Sequence, residues 1–104
     1  MMERVLIIGT GLIGASTGLA LRAAGFAGRI DGWDVSSLEM AAAVQMRAID
    51  GRAGSREDAV ELARLANVIV LAVPVLAIKD WMQQLEKLMA QLRLLAPVVG
   101  RTIA

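Results

Sequence analysis

Four residues of this chain stand at spacings that could do chemistry together. Gly9, Gly11 and Gly14 follow the pattern G-x-G-x-x-G, and Asp34 comes 20 positions after Gly14. Glycine at the first position permits a tight turn out of a strand. At the second, the missing Cβ lets the backbone approach a diphosphate, and at the third it lets a helix lie close on a sheet. An anion at such a turn meets the free N–H groups and the positive dipole end of the following helix. An acid about 20 residues further on accepts hydrogen bonds from a ribose diol. Gly9, Thr10, Gly11, Leu12, Ile13, Gly14 and Asp34 are therefore the predicted binding set for a dinucleotide, with the Thr10 hydroxyl as an added hydrogen-bonding group.

These residues need strands and helices to hold them. Val5 to Ile8 is an unbroken apolar run, as in a strand buried on both faces. Leu12, Ile13, Ala15, Leu19, Ala20 and Ala23 make a helical stripe that ends at Gly25, a predicted C-cap. Arg29 to Asp34 reads as the second strand. Ser36 and Glu39 form an S-x-x-E capping pair opening a second helix, with Leu38, Ala42, Met46 and Ile49 on its apolar side and Met40 and Met46 as core filler. Ile49 to Ser55 is a turn region with room for a short edge strand. Ser55, Glu57 and Asp58 open a third helix, whose inward side is Val60 and Ala63 with Leu62 and Leu65. Val68 to Val73 is a second apolar strand bounded by Pro74. A long helix begins at Val75, carries Val75, Ile78, Trp81, Met82, Leu85, Leu88, Met89 and Leu92 on one side, and stops near Ala96 before Pro97.

Strands alternating with helices predict an α/β fold: a Rossmann-type doubly wound, mainly parallel sheet with helices on both faces. Residues 1–104 make one domain, incomplete at its C-terminal end, with four strands and the start of a fifth from Val98 onward. In that topology the fourth strand crosses to the far side of the first. Ala72, Val73 and Pro74 then fall in the ligand crevice beside the glycine turn. The unfinished fifth strand leaves an open edge beside the fourth, which invites pairing with another chain and predicts a homo-oligomer.

Composition excludes other classes. Net charge is +1, and Phe26, Trp33 and Trp81 are the aromatic residues, so neither a nucleic-acid surface nor a base-stacking platform is predicted. Without Cys there is neither a disulfide nor thiolate chemistry, which fits the cytoplasm. Without His the commonest general base and metal ligand is missing, and no catalytic or metal-binding residue is predicted. Val5 to Leu21 is uncharged, but it is short for a membrane span and carries four glycines, a serine and two threonines. The carboxylates of Glu57, Asp58 and Glu61 read as a solvated helix face.

A more specific pattern runs along residues 4 to 80. G-T-G-L-I-G-A-S at Gly9–Ser16, A-G-F at Ala24–Phe26 and G-W-D at Gly32–Asp34 resemble the start of prephenate dehydrogenases. So do A-I-D-G-R-A-G-S at Ala48–Ser55, D-A-V at Asp58–Val60 and V-I-V-L-A-V-P-V at Val68–Val75. The resemblance implies oxidation of prephenate or arogenate with NAD(P) and loss of carbon dioxide, on the way to tyrosine. It also implies a C-terminal helical domain that completes the nicotinamide cleft and forms the dimer. That family's catalytic histidine and serine have no counterpart here. Asp34, followed by Val35, Ser36 and Ser37 with no Arg, favours NAD over NADP. Two alternatives share the same first half: a non-catalytic NAD-binding module that dimerises, and the nucleotide domain of a different hydroxy-acid dehydrogenase.

Overall fold

The apolar run after Arg4 lies at the centre of a parallel sheet. The computed structural model describes residues 3–95 and 102–103. Its elements are β1 (Arg4–Ile8), α1 (Leu12–Ala23), β2 (Arg29–Trp33), α2 (Ser37–Gln45), β3 (Gly51–Arg52), α3 (Arg56–Leu65), β4 (Val68–Leu71), α4 (Val75–Leu95) and β5 (Thr102–Ile103). The strand order is β3-β2-β1-β4-β5, with every pairing parallel. The chain winds outward through β2 and β3, then returns to the other side of β1. Ile8 pairs with Trp33 on one flank and with Leu71 on the other, so three strands end at one level. This is the doubly wound α/β sheet predicted from the alternation of elements.

Side chains of β1 point alternately to two cores. Leu6 and Ile8 pack with Ile69, Ala59, Ala63, Trp81 and Leu85, under α3 and α4. Val5 and Ile7 pack with Ile30, Ala15, Ala43 and Ile49, under α1 and α2. Both faces of β1 are covered, which is why its sequence is continuously apolar rather than alternating. Among the described residues no helix is long and apolar enough to cross a membrane.

Helix ends follow the predicted chemistry. Ser36 Oγ accepts from the Glu39 N–H at 3.2 Å, and Ser55 Oγ accepts from the Asp58 N–H at 3.1 Å. At the end of α1 the cap residue is Ala24. Gly25, with φ +90°, sits one place further, where its N–H and that of Phe26 reach back to the Arg22 and Leu21 carbonyls. This is a Schellman closure, and it corrects the predicted cap by one residue.

The helix faces differ more. On α1 the buried residues are Gly14, Ala15 and Gly18, while Leu12, Ile13, Leu19, Ala20 and Ala23 are exposed. The cause is close approach: a Cβ on Gly18 would overlap the carbonyl of Ala48, in the loop between α2 and β3, so the smallest residues must lie on the inward side. On α2 Met40 and Ala43 are buried, while Leu38, Ala42 and Met46 are exposed; Ile49 is buried as expected. On α3 Ala63 is joined by Ala59, Val60 and Leu62 are half-buried, and Leu65 is exposed. Trp81, Leu85 and Leu88 of α4 are buried and Ile78 and Met82 half-buried, but Val75 is exposed. Strand β4 stops at Leu71, two residues short of the predicted Val73. The edge beside β4 is partly occupied, because Thr102 and Ile103 pair with Val68 and Ile69. The predicted stop at Ala96 and the approach from Val98 to Arg101 lie outside the described residues.

Candidate functional site

The crevice opens where β1, β2 and β4 end together. Gly9 leaves β1 with φ +96°, a conformation side chains oppose, and a Cβ there would overlap the Ala72 carbonyl. Its N–H donates to the Trp33 carbonyl at 2.8 Å, and the Ala72 N–H donates to the Ile8 carbonyl at 2.8 Å. The turn is thus pinned to both neighbouring strands. A Cβ on Gly14 would overlap the Gly9 carbonyl, so the first turn of α1 rests directly on the loop before it. At Gly11, the N-cap of α1, nothing lies within 4 Å of a Cβ position. Space, rather than protein, lies beside that backbone.

The helix N-termini are not alike. Both α2 and α3 are closed by a serine hydroxyl and carry acids in the first turn, Glu39 in one and Glu57 with Asp58 in the other. Helix α1 has neither a side-chain cap nor an acid in its first turn. Its leading amides, with the positive dipole end, face the crevice with no built-in anion.

Asp34 follows directly on β2 and is held by two backbone amides. Its Oδ2 accepts from the Thr10 N–H at 2.8 Å, and its Oδ1 accepts from the Ser36 N–H at 2.9 Å. An ionised carboxylate has about four lone-pair sites, so each oxygen keeps capacity for a hydroxyl donor. Thr10 is 1% exposed, and its Oγ1 is buried without a hydrogen-bond partner.

A cavity of about 450 Å³ brings most of the predicted set together: Gly9, Gly11, Asp34, Ala72, Val73 and Pro74 all line it. Thr10 and Leu12 line a neighbouring groove of about 380 Å³. Gly14 is buried beneath the turn, and the Ile13 side chain is exposed at the surface.

Further lining residues went unrecognised in the sequence: Trp33, Val35, Glu39, Arg56, Ala77 and Trp81. The two tryptophan rings meet at 5.6 Å between centroids, tilted by 60°. The Arg56 guanidinium stands 4.1 Å from the Trp81 ring centroid, and it donates to Asp80 at 2.6 Å and to Gln84 at 3.0 Å. Trp33 was legible as a neighbour of Asp34. Arg56 gave no sequence signal, since its place depends on where α3 meets α4.

A parallel sheet of this order, with its crevice at the reversal point, is the nucleotide-binding architecture of the Rossmann type. Comparison with known proteins makes the class narrower. The chain matches the sequence profile of the prephenate dehydrogenase nucleotide-binding domain over residues 17–100, and it belongs to that family. The match begins at Thr17, after the glycine motif, and takes in Asp34 and the β4 end. Prephenate dehydrogenase from A. aeolicus, solved in complex with hydroxyphenyl propionate and NAD+, superposes with a TM-score of 0.76 at 29% identity, covering 84% of this chain and 30% of that one. A second structure of prephenate dehydrogenase, from Aquifex aeolicus, gives 0.67 at 30% identity, with coverages of 73% and 27%. Synechocystis arogenate dehydrogenase gives 0.64 at 27%, with coverages of 85% and 28%. The chain thus spans less than a third of the length of these solved relatives. No curated protein matches it at the sequence level.

Proposed function

We propose that this chain is the NAD-binding part of a prephenate or arogenate dehydrogenase of tyrosine biosynthesis. The uncapped, acid-free N-terminus of α1 beside Asp34 carries the reading. The diphosphate binds the first amides of α1 at Leu12 and Ile13, where the open space at Gly11 admits it. Asp34 accepts hydrogen bonds from the adenosine ribose diol. Val73 and Pro74 offer a purine ring an apolar wall, backed by the buried rings of Trp33 and Trp81. The unpartnered Thr10 Oγ1 and the open cradle at Gly11 are the features of this chain that fit such a group. When bound, NAD supplies the hydride acceptor for oxidation of the substrate's ring alcohol. The chain's own residues bind and orient the nucleotide. No side chain here is assigned to proton removal, because the sequence has no His.

Calorimetric titration with NAD and with NADP tests the reading. NAD is expected to bind more tightly, since a carboxylate repels a 2′-phosphate. Asp34→Ala removes a charged hydrogen-bond acceptor worth about 1.5–3 kcal/mol, so NAD affinity should fall at least about tenfold. Unchanged affinity in that variant, or no binding of either nucleotide by the folded chain, overturns it.

A further inference from the structure

Resting on the dinucleotide reading, a second carboxylate stands at the ribose end of the crevice. Glu39 lies exposed in the first turn of α2. It lines the main cavity with Gly11 and Asp34, and it lines the neighbouring groove with Thr10 and Ser16. Its position relative to Asp34 is set by two hydrogen bonds in series. The Ser36 N–H donates to Asp34 Oδ1 at 2.9 Å, and the Glu39 N–H donates to Ser36 Oγ at 3.2 Å. The chain passes from the ribose-reading carboxylate into the helix through one short, bonded turn. We propose that Glu39 is a specificity residue, which keeps a phosphate off the 2′ oxygen of the adenosine ribose.

The need for it comes from the start of α2. A helix N-terminus attracts anions through its dipole and free amides. Here that end adjoins the acid that reads the ribose, and Ser36 and Ser37 add hydroxyl donors. A nucleotide with a 2′-phosphate would meet amides, hydroxyls and a favourable dipole, with Asp34 alone opposing it. Glu39 places a negative charge in that first turn and offsets the dipole. Among the described residues its carboxylate has no hydrogen-bond or ion-pair partner, so no cation of the protein neutralises it. The cation on the same cavity, Arg56, is engaged by Asp80 and Gln84 and covers the Trp81 ring. It is therefore not a free partner for a phosphate.

The test compares NAD and NADP dissociation constants of the wild-type chain, Glu39→Gln and Glu39→Lys, at low salt and at about 0.5 M salt. Glu39 is exposed, so neither substitution removes core packing. At low salt Gln should raise the NADP-to-NAD affinity ratio about threefold, and Lys about tenfold, as an exposed charge near a helix end allows. Both changes should shrink at high salt, where the Debye length falls to a few ångströms. A ratio that stays at the wild-type value in both variants overturns the role of Glu39 while leaving the dinucleotide site intact. Equal weakening of both nucleotides overturns it too, because that outcome assigns Glu39 to structure rather than selection. Wild-type chain that binds no NAD at all removes the dinucleotide reading itself, and this inference with it.

Discussion

Single glycines in one motif have separable roles, and the structure says which loss each substitution should cause. A methyl group at Gly14 would overlap the Gly9 carbonyl and press on Ile7 Cγ2 at 3.1 Å. Backbone on one side and a core side chain on the other leave no direction in which to relax. Gly14→Ala should therefore destabilise the fold by about 2–4 kcal/mol, the range of overpacked or strained core sites. At Gly11 the same methyl group meets nothing within 4 Å, and φ of −70° suits alanine. Gly11→Ala should change stability by less than about 1 kcal/mol, yet weaken NAD at least about tenfold, because the methyl group takes the space of the diphosphate. Urea denaturation and nucleotide titration of the two variants separate these outcomes. Gly11→Ala binding NAD like the wild type would mean that no phosphate approaches there.

At the scale of the element, helix ends were legible and so were the inward faces of α3 and α4, but the faces of α1 and α2 were not. A cap is a local event: one hydroxyl, one amide three residues on, and a dihedral angle. Ser36 and Ser55 could be read from sequence because nothing distant decides them. Ser55→Ala should accordingly cost about 1 kcal/mol, visible as a lower urea midpoint with an unchanged slope. No change would mean that α3 is held by its packing alone. Which face a helix buries depends on how near the sheet comes, and that is a tertiary matter. On α1 the obvious apolar residues, Leu12, Ile13 and Leu19, are exposed, while Gly14, Ala15 and Gly18 face inward. Glycine at Gly18 was the available clue, and hydrophobicity pointed away from it. The same failure recurs on α2, where Leu38 is exposed and Ala43 is fully buried. The site divides similarly. The glycine turn and Asp34 were legible because their spacing along the chain is itself the signal. Trp81, Arg56 and Glu39 come from three different helices, and only the assembled fold puts them on one cavity.

Taken whole, the molecule places its candidate binding residues on the ends of three adjacent strands, so that a nucleotide bound as proposed would tie β1, β2 and β4 together. Binding to the native state alone must then stabilise the fold by mass action. At an NAD concentration of about 100 times Kd the gain is about 2.7 kcal/mol. For a domain of this size that corresponds to a rise in Tm of roughly 10–20 °C. A dehydrogenase also needs a group to take the substrate's hydroxyl proton. The 104 residues include no His and no Cys, and Asp34, the acid at the glycine turn, is engaged by the Thr10 and Ser36 amides. Binding and turnover should therefore come apart in this chain. Thermal unfolding should show the NAD-dependent rise, while addition of prephenate to the same sample should form no NADH above the rate without protein. The two readouts fail differently. A flat thermal response would deny the crevice its nucleotide, whereas NADH production would show that residues on these few strands and helices suffice for chemistry assigned above to binding alone.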